Sequence, residues 1–184
     1  MEHRRPQRIQ ILGNSGGGKS TLARQIGNAL DLPVIHLDRY FWNPGWVPTP
    51  LPEFDARVLE LAKTDCWVID GNYSRTLPAR IERADLIIWI DISRPHALWR
   101  VAQRAIANYG QTRPDMGENC PERIDFGFFA FVWNYPNRRG AEHRQMMQDA
   151  KAAGKWVVEL NAGREVRAFV QLMRTFLAAP AEAL

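Results

Sequence analysis

The residues Gly13-Asn14-Ser15-Gly16-Gly17-Gly18-Lys19-Ser20-Thr21 match G-x-x-x-x-G-K-[ST] at every fixed position. The chemistry of that spacing is phosphate binding. Glycines let the backbone turn so that successive N–H groups point inward and form an anion nest. A helix beginning at Lys19 adds its positive N-terminal end to the same spot. Lys19 is expected to reach the β- and γ-phosphates of ATP, and Ser20 to ligate Mg²⁺. A second candidate is Asp70, which ends the apolar run Cys66-Trp67-Val68-Ile69. Ligands of open α/β sheets gather beyond the carboxyl ends of strands, so a carboxylate there can orient Mg²⁺ through water, the Walker-B role. Asp91 ends Leu86–Ile90 in the same manner and competes for that role. A turn or cap function stays open for both.

These groups need a scaffold, and the sequence supplies its pattern. Short apolar runs at Arg8–Leu12, Pro33–Leu37, Cys66–Asp70, Leu86–Asp91 and Trp156–Leu160 predict strands covered on both faces. Between them, Lys19–Leu30, Glu53–Lys63, Pro95–Ala107 and Glu165–Leu177 carry apolar residues at helical spacing. In the last, that stripe is Val166, Phe169, Val170, Met173, Phe176 and Leu177, and the tail Ala178–Leu184 is expected to fray. Alternation of this kind predicts an α/β fold with a parallel sheet. Two irregular stretches stand out: the aromatic and proline-rich Arg39–Pro52, and the polar, arginine-bearing Asn108–Arg123. Long irregular segments in a compact domain are more often functional than accidental, so an acceptor site and a lid are sought there.

Composition narrows the class. The 184 residues suit one domain, 1–184, and 46% apolar content predicts a folded globule. No apolar run reaches the roughly 18 residues of a membrane span. The run Ile9–Leu12 is too short for a signal-peptide core, so a cytoplasmic protein is expected. Cys66 and Cys120 set no disulfide framework and no zinc spacing. Of 24 basic residues 20 are arginine, and the net charge is +4. Arginine forks suit anionic ligands, although genome composition gives the same bias. There is no long Lys/Arg run and no nucleic-acid-reading motif.

Three further segments, His36–Val47 (HLDRYFWNPGWV), Trp67–Tyr73 (WVIDGNY) and Thr112–Arg123 (TRPDMGENCPER), give the chain a resemblance. With the phosphate loop, and over about Ile9 to Phe176, it resembles the DNA topology modulation proteins, relatives of adenylate kinase and other small P-loop kinases. The resemblance implies a P-loop NTPase three-layer αβα fold of the nucleoside-monophosphate-kinase kind. Its five-stranded parallel sheet would run in the order 2-3-1-4-5, with a lid at about 108–123. It implies that Asp70-Gly71 lies beside Mg²⁺ and the acceptor. It also implies that Arg113 and Arg123 clamp the transferring phosphoryl group, with Arg100 and Arg104 pointing the same way. Asp38, closing the second strand, would face the acceptor hydroxyl as base or orienting group, unless it caps a helix or pairs with an arginine. The turn Asn161–Arg164 would touch adenine through its backbone. The chain departs from adenylate kinase in two places: Asn72-Tyr73-Ser74-Arg75 follows Asp70-Gly71, and there is no four-cysteine lid.

Other residues keep two readings. Phe41, Trp42 and Trp46 could stack on a ring or cover the core. Arg75 and Arg80 could hold an anionic acceptor or be solvated. His36 reads as a satisfied core residue. Trp133 with Tyr135-Pro136 reads as packing, against the lid or a partner chain. The function expected is transfer of the γ-phosphoryl of ATP to a small acceptor, with a nucleotide among the candidates and AMP put in question by the departures from adenylate kinase. The competing readings are a nucleic-acid-associated ATPase affecting DNA topology and a nucleotide sensor with little turnover.

Overall fold

Each of the five apolar runs becomes a strand of one parallel sheet in the computed structural model, which describes residues 5–161 and 163–178. Along the chain the elements are β1 (Arg8–Gly13), α1 (Lys19–Leu30), β2 (Val34–His36), α2 (Asp38–Phe41), β3 (Trp42–Asn43) and β4 (Val47–Pro48). They continue with α3 (Leu51–Lys63), β5 (Trp67–Asp70), α4 (Leu77–Arg83), β6 (Leu86–Ile90), α5 (Arg94–Ala107) and α6 (Phe126–Tyr135). A π-helical turn, Pro136–Gly140, leads into α7 (Ala141–Ala152), and β7 (Trp156–Leu160) and α8 (Gly163–Ala178) follow. The sheet order is β2-β5-β1-β6-β7, which counts as 2-3-1-4-5 when its strands alone are numbered. All its pairings are parallel, while β3 and β4 form a separate antiparallel hairpin.

Pleating sends alternate residues of β1 to opposite faces. Ile9 and Ile11 join Leu22, Ile26, Val101, Val132 and Phe169 in the core under α1, α5, α6 and α8. Leu12 joins Phe54, Val58, Leu77, Ile81 and Met147 under α3, α4 and α7. The result is the three-layer αβα architecture, with every residue of β6 buried. Centring β1 in the sheet brings its carboxyl end, where the phosphate loop begins, between the ends of β5 and β6.

The boundaries differ slightly from the pattern. β2 starts after Pro33, which has no N–H to give a ladder. α3 and α5 start earlier than expected, at Leu51 and Arg94, because proline is tolerated in a first turn. The segment 108–123 is irregular, with isolated bridges Tyr109–Glu122 and Thr112–Pro121. Ala162, the tail beyond Ala178, and the side chains of Phe176 and Leu177 lie outside the described residues. No described helix is long and apolar enough to cross a membrane.

Candidate functional site

The loop after β1 takes its shape from positions that tolerate no side chain. Gly13 has φ +138°, and a Cβ there would lie 2.1 Å from the Ile90 carbonyl oxygen. Gly16 has φ +81°, and its Cβ would meet the Ala97 carbonyl at 2.5 Å. Asn14 is buried and ties the loop to α6, its Nδ2 donating to the Val132 carbonyl at 3.0 Å. The Asn14 carbonyl accepts from Gly17 N at 3.1 Å and from the Lys19 ammonium at 3.1 Å. Burial pulls the Lys19 ammonium below the ordinary lysine range, opposed by Asp70 and Asp38. Lys19 thus rests on its own loop, with two carboxylates near enough to hold its charge.

Ser20 Oγ donates to Asp70 Oδ2 at 2.7 Å, and Asp70 Oδ1 meets His36 Nδ1 at 2.5 Å. Both His36 and Asp70 are buried. A hydroxyl and a carboxylate beside a phosphate cradle are the hard oxygen donors that Mg²⁺ takes alongside water and phosphate. No cluster of three or more His, Cys, Asp or Glu that could hold a metal stands among the described residues. Asp91 sits elsewhere, its carboxylate 4.0 Å from Arg144, and does not line the cleft that contains Ser20 and Asp70. The geometry therefore pairs Asp70, not Asp91, with the phosphate loop.

That cleft has a volume of about 1150 Å³ and gathers Lys19, Ser20, Thr21, Asp38, Asp70, Arg113 and Arg123 on its walls. Asp38 opens α2 immediately after β2, and Tyr73 Oη donates to its Oδ1 at 2.6 Å. Burial pushes the Asp38 carboxyl up; the Tyr73 hydrogen bond, Lys19 and Arg113 oppose this, and Asp70 adds to it. Phe41, Trp42 and Trp46 also line the cleft, and Phe41 packs on Phe54 and Tyr73 at 5.1 Å between centroids. Phe41 thus packs on the core as well as lining the cleft, while Trp42 and Trp46 line it without joining either core cluster. The hairpin is fastened to the 108–123 segment: Trp46 Nε1 donates to the Pro121 carbonyl at 3.1 Å and Gly45 N to that of Asn119 at 2.9 Å. The Cys120 thiol donates to the Asn43 carbonyl at 3.2 Å.

Arginines line the cleft as well. Arg113 pairs with Glu122 and, at 2.6 Å, with Asp115; Arg104 lies 3.2 Å from Glu122 and Arg24 3.8 Å from Asp115. Both carboxylates are buried. Arg123 is exposed, 3.6 Å from Asp125 and over the Trp46 ring. Arg100 reaches the Gly17 carbonyl at 3.4 Å. The two arginines after Asp70 stand apart from the cleft walls. Arg75 pairs with Asp55 at 2.6 Å. Arg80 is fully buried and donates to the carbonyls of Gly71, Asn72 and Tyr73 and to Gln10 Oε1. It is a structural clamp on the loop after β5, not a solvated helix residue.

Tyr73, named in the sequence only as a departure from the motif, lines the cleft, as do Tyr135, read there as packing, and its partner His143, which no motif marked; these two bond at 2.8 Å. Tyr73 was legible as the residue that replaces an expected motif position; nothing in the local pattern marks His143. His36, read as a core residue, is one, and its partner is the Asp70 carboxylate.

No protein-family model matches the chain. Shikimate kinase of Corynebacterium diphtheriae is 27% identical over 107 residues, 51% of this chain and 62% of that protein. The chain thus spans less than two thirds of that curated relative. Among solved structures, the shikimate kinase of Acinetobacter baumannii, in complex with shikimate, superposes with TM-score 0.59 at 16% identity, covering 93% of this chain and 92% of that one. The shikimate kinase of Bacteroides thetaiotaomicron gives 0.58 at 18%, over 95% and 99%. A gluconokinase of Sinorhizobium meliloti gives 0.55 at 18%, over 98% and 97%. At such identities the likeness is one of fold: the chain has the α/β architecture shared by these small P-loop kinases. None of these four is a DNA topology modulation protein, so that likeness rests on the quoted motifs alone.

Proposed function

We propose that this chain is an ATP-dependent phosphotransferase that moves the γ-phosphoryl group to a hydroxyl of a small acceptor. The observation that carries the reading is one cleft that holds the phosphate loop together with a half-buried carboxylate, Asp38, among the aromatic side chains Phe41, Trp42 and Tyr73. A bare ATPase switch has no use for such a carboxylate and aromatic wall. The similarity to kinases named for shikimate and gluconate supports a hydroxyl acceptor.

In this reading the loop N–H groups, Lys19 and the N-terminus of α1 hold the phosphates of ATP. Ser20 and Asp70 would hold Mg²⁺, which would supply neutralisation of phosphate charge. Asp38 orients the acceptor hydroxyl and takes its proton as the oxygen–phosphorus bond forms and ADP leaves. Arg113 and Arg123, on the segment 108–123 that we assign as a lid, meet the charge on the transferring group. Docked on the hairpin, that segment excludes water that would otherwise compete as acceptor.

The test is ADP release from ATP and Mg²⁺ against a panel of polyols, hydroxy acids including shikimate and gluconate, nucleosides and nucleoside monophosphates. An acceptor-dependent signal is expected. With the best acceptor, Asp38→Asn should lower transfer by a factor of about 100 or more while ATP binding survives. Full transfer by that variant would remove Asp38 from the acceptor site.

A further inference from the structure

Tyr73 occupies the place where the chain departs from the adenylate kinase pattern, and its backbone is held where large side chains rarely go. Its φ is +30°. Two clamps keep it there. Arg80, buried to the last atom, donates Nη2 to the carbonyls of Asn72 at 2.7 Å and Tyr73 at 3.0 Å. The Asn72 side-chain amide bridges the backbone of Gly13, accepting from its N–H at 3.0 Å and donating to its carbonyl at 2.9 Å. The ring is fixed as well, packed on Phe54 at 4.6 Å and Phe41 at 5.1 Å between centroids. What this rigid placement delivers is one hydroxyl, 2.6 Å from Asp38 Oδ1. Strain of this sort persists only when the surroundings over-determine it, and it gathers at working sites.

We infer that Tyr73 is the positioning residue for Asp38: it engages Oδ1 and so holds the carboxylate with Oδ2 presented to the acceptor hydroxyl. The inference rests on Asp38 serving the acceptor, as proposed above. Its physical content does not. A phenol donating to a carboxylate favours the charged form. The groups facing Asp38 divide into Lys19, Arg113 and Arg104, whose positive charges favour the anion, and Asp70 and burial, which oppose it. Lys19 is committed to phosphate once ATP binds, so Tyr73 is the uncharged donor whose help does not change with the nucleotide. Burial and the neighbouring Asp38 charge push the Tyr73 phenol far above its ordinary value, so it remains a donor at every working pH.

The test needs no acceptor. With ¹³C-labelled aspartate, the Asp38 carboxyl resonance is identified by its loss in Asp38→Asn and titrated by NMR in wild type and in Tyr73→Phe. Losing a hydrogen bond to a charged group should move the Asp38 midpoint up by about one pH unit. Replacing the tyrosines of the wild-type sequence by the more acidic 3,5-difluorotyrosine strengthens the donor and should move it down, which covers the case that Tyr73→Phe does not fold. A midpoint unmoved in either experiment overturns the inference, whatever Asp38 does in transfer. With the best acceptor from the panel, Tyr73→Phe should lower kcat and shift the acid limb of its pH profile upward, leaving ATP affinity unchanged. A normal NMR shift with full transfer by Asp38→Asn would instead refute the functional reading and spare the Tyr73–Asp38 coupling.

Discussion

Lys19 and Arg113 are both basic and both line the cleft, yet their removal should have different consequences. Lys19 leans on the Asn14 carbonyl and is not part of either apolar core. Lys19→Ala should therefore abolish tight ATP binding by calorimetry while circular dichroism and melting stay near wild type. Unchanged binding would remove the loop from the nucleotide site. Arg113 is bonded to Asp115 and Glu122, both buried, so Arg113→Ala leaves two carboxylates short of a partner. It should lower both kcat and the melting temperature. Arg123, exposed beside Asp125, should lower kcat without that stability loss. If both variants turn over normally, the segment 108–123 is an ordinary loop.

At the scale of elements, the loop after β5 and the 108–123 segment are each held by several contacts, of which one can be removed by a single substitution. Arg80→Met strips hydrogen bonds from Gln10 Oε1 and from the carbonyls of Gly71, Asn72 and Tyr73 at once. We expect a loss of about 3 kcal/mol or more in denaturant unfolding; a loss under half that would show that water replaces the guanidinium. Gly117 presses against the hairpin so closely that a Cβ would lie 1.8 Å from the Trp42 carbonyl oxygen. Gly117→Ala should part the segment from the hairpin and speed limited proteolysis between residues 108 and 123. Neither contact was legible in the sequence, and the reason is the same. Arg80 looks like any helix arginine until the topology folds α4 over the ends of β1 and β5, and Gly117 meets Trp42 across 75 positions of chain. The parallel strands were legible because they are apolar on both faces, and the phosphate loop because its chemistry is local. α6 was not: Phe126–Val132 is apolar nearly all round, so no polar positions show a 3.6-residue period. α7 did carry one, with His143, Met147 and Ala150 buried at helical spacing, and its polar remainder masked it.

For the whole molecule, the question is what the basic excess serves. A net charge of +4 and a pI near 9.4 suit nucleic acid as well as nucleotide. The arginines, however, are largely engaged within the fold. Arg8 pairs with Asp85, Arg75 with Asp55, Arg139 with Glu142, and Arg80 is buried. Arg24, Arg104 and Arg113 share Asp115 and Glu122 along the cleft. Positive charge is thus concentrated where a triphosphate would sit, in a cleft of about 1150 Å³, and a duplex needs an open face. We expect a labelled DNA duplex to bind only in the non-specific range, Kd of about 10⁻⁴ to 10⁻⁶ M, weakening steeply with salt. Fluorescence anisotropy between low and physiological salt measures this, alongside ATP hydrolysis with and without DNA. DNA should not stimulate hydrolysis, since the residues that would sense an acceptor, Asp38 with Trp42 and Trp46, line the cleft. The opposite result has a distinct signature. Hydrolysis that rises with DNA, and still rises in Asp38→Asn, would make the chain a nucleic-acid-dependent ATPase and leave the aromatic end of the cleft without an acceptor to hold.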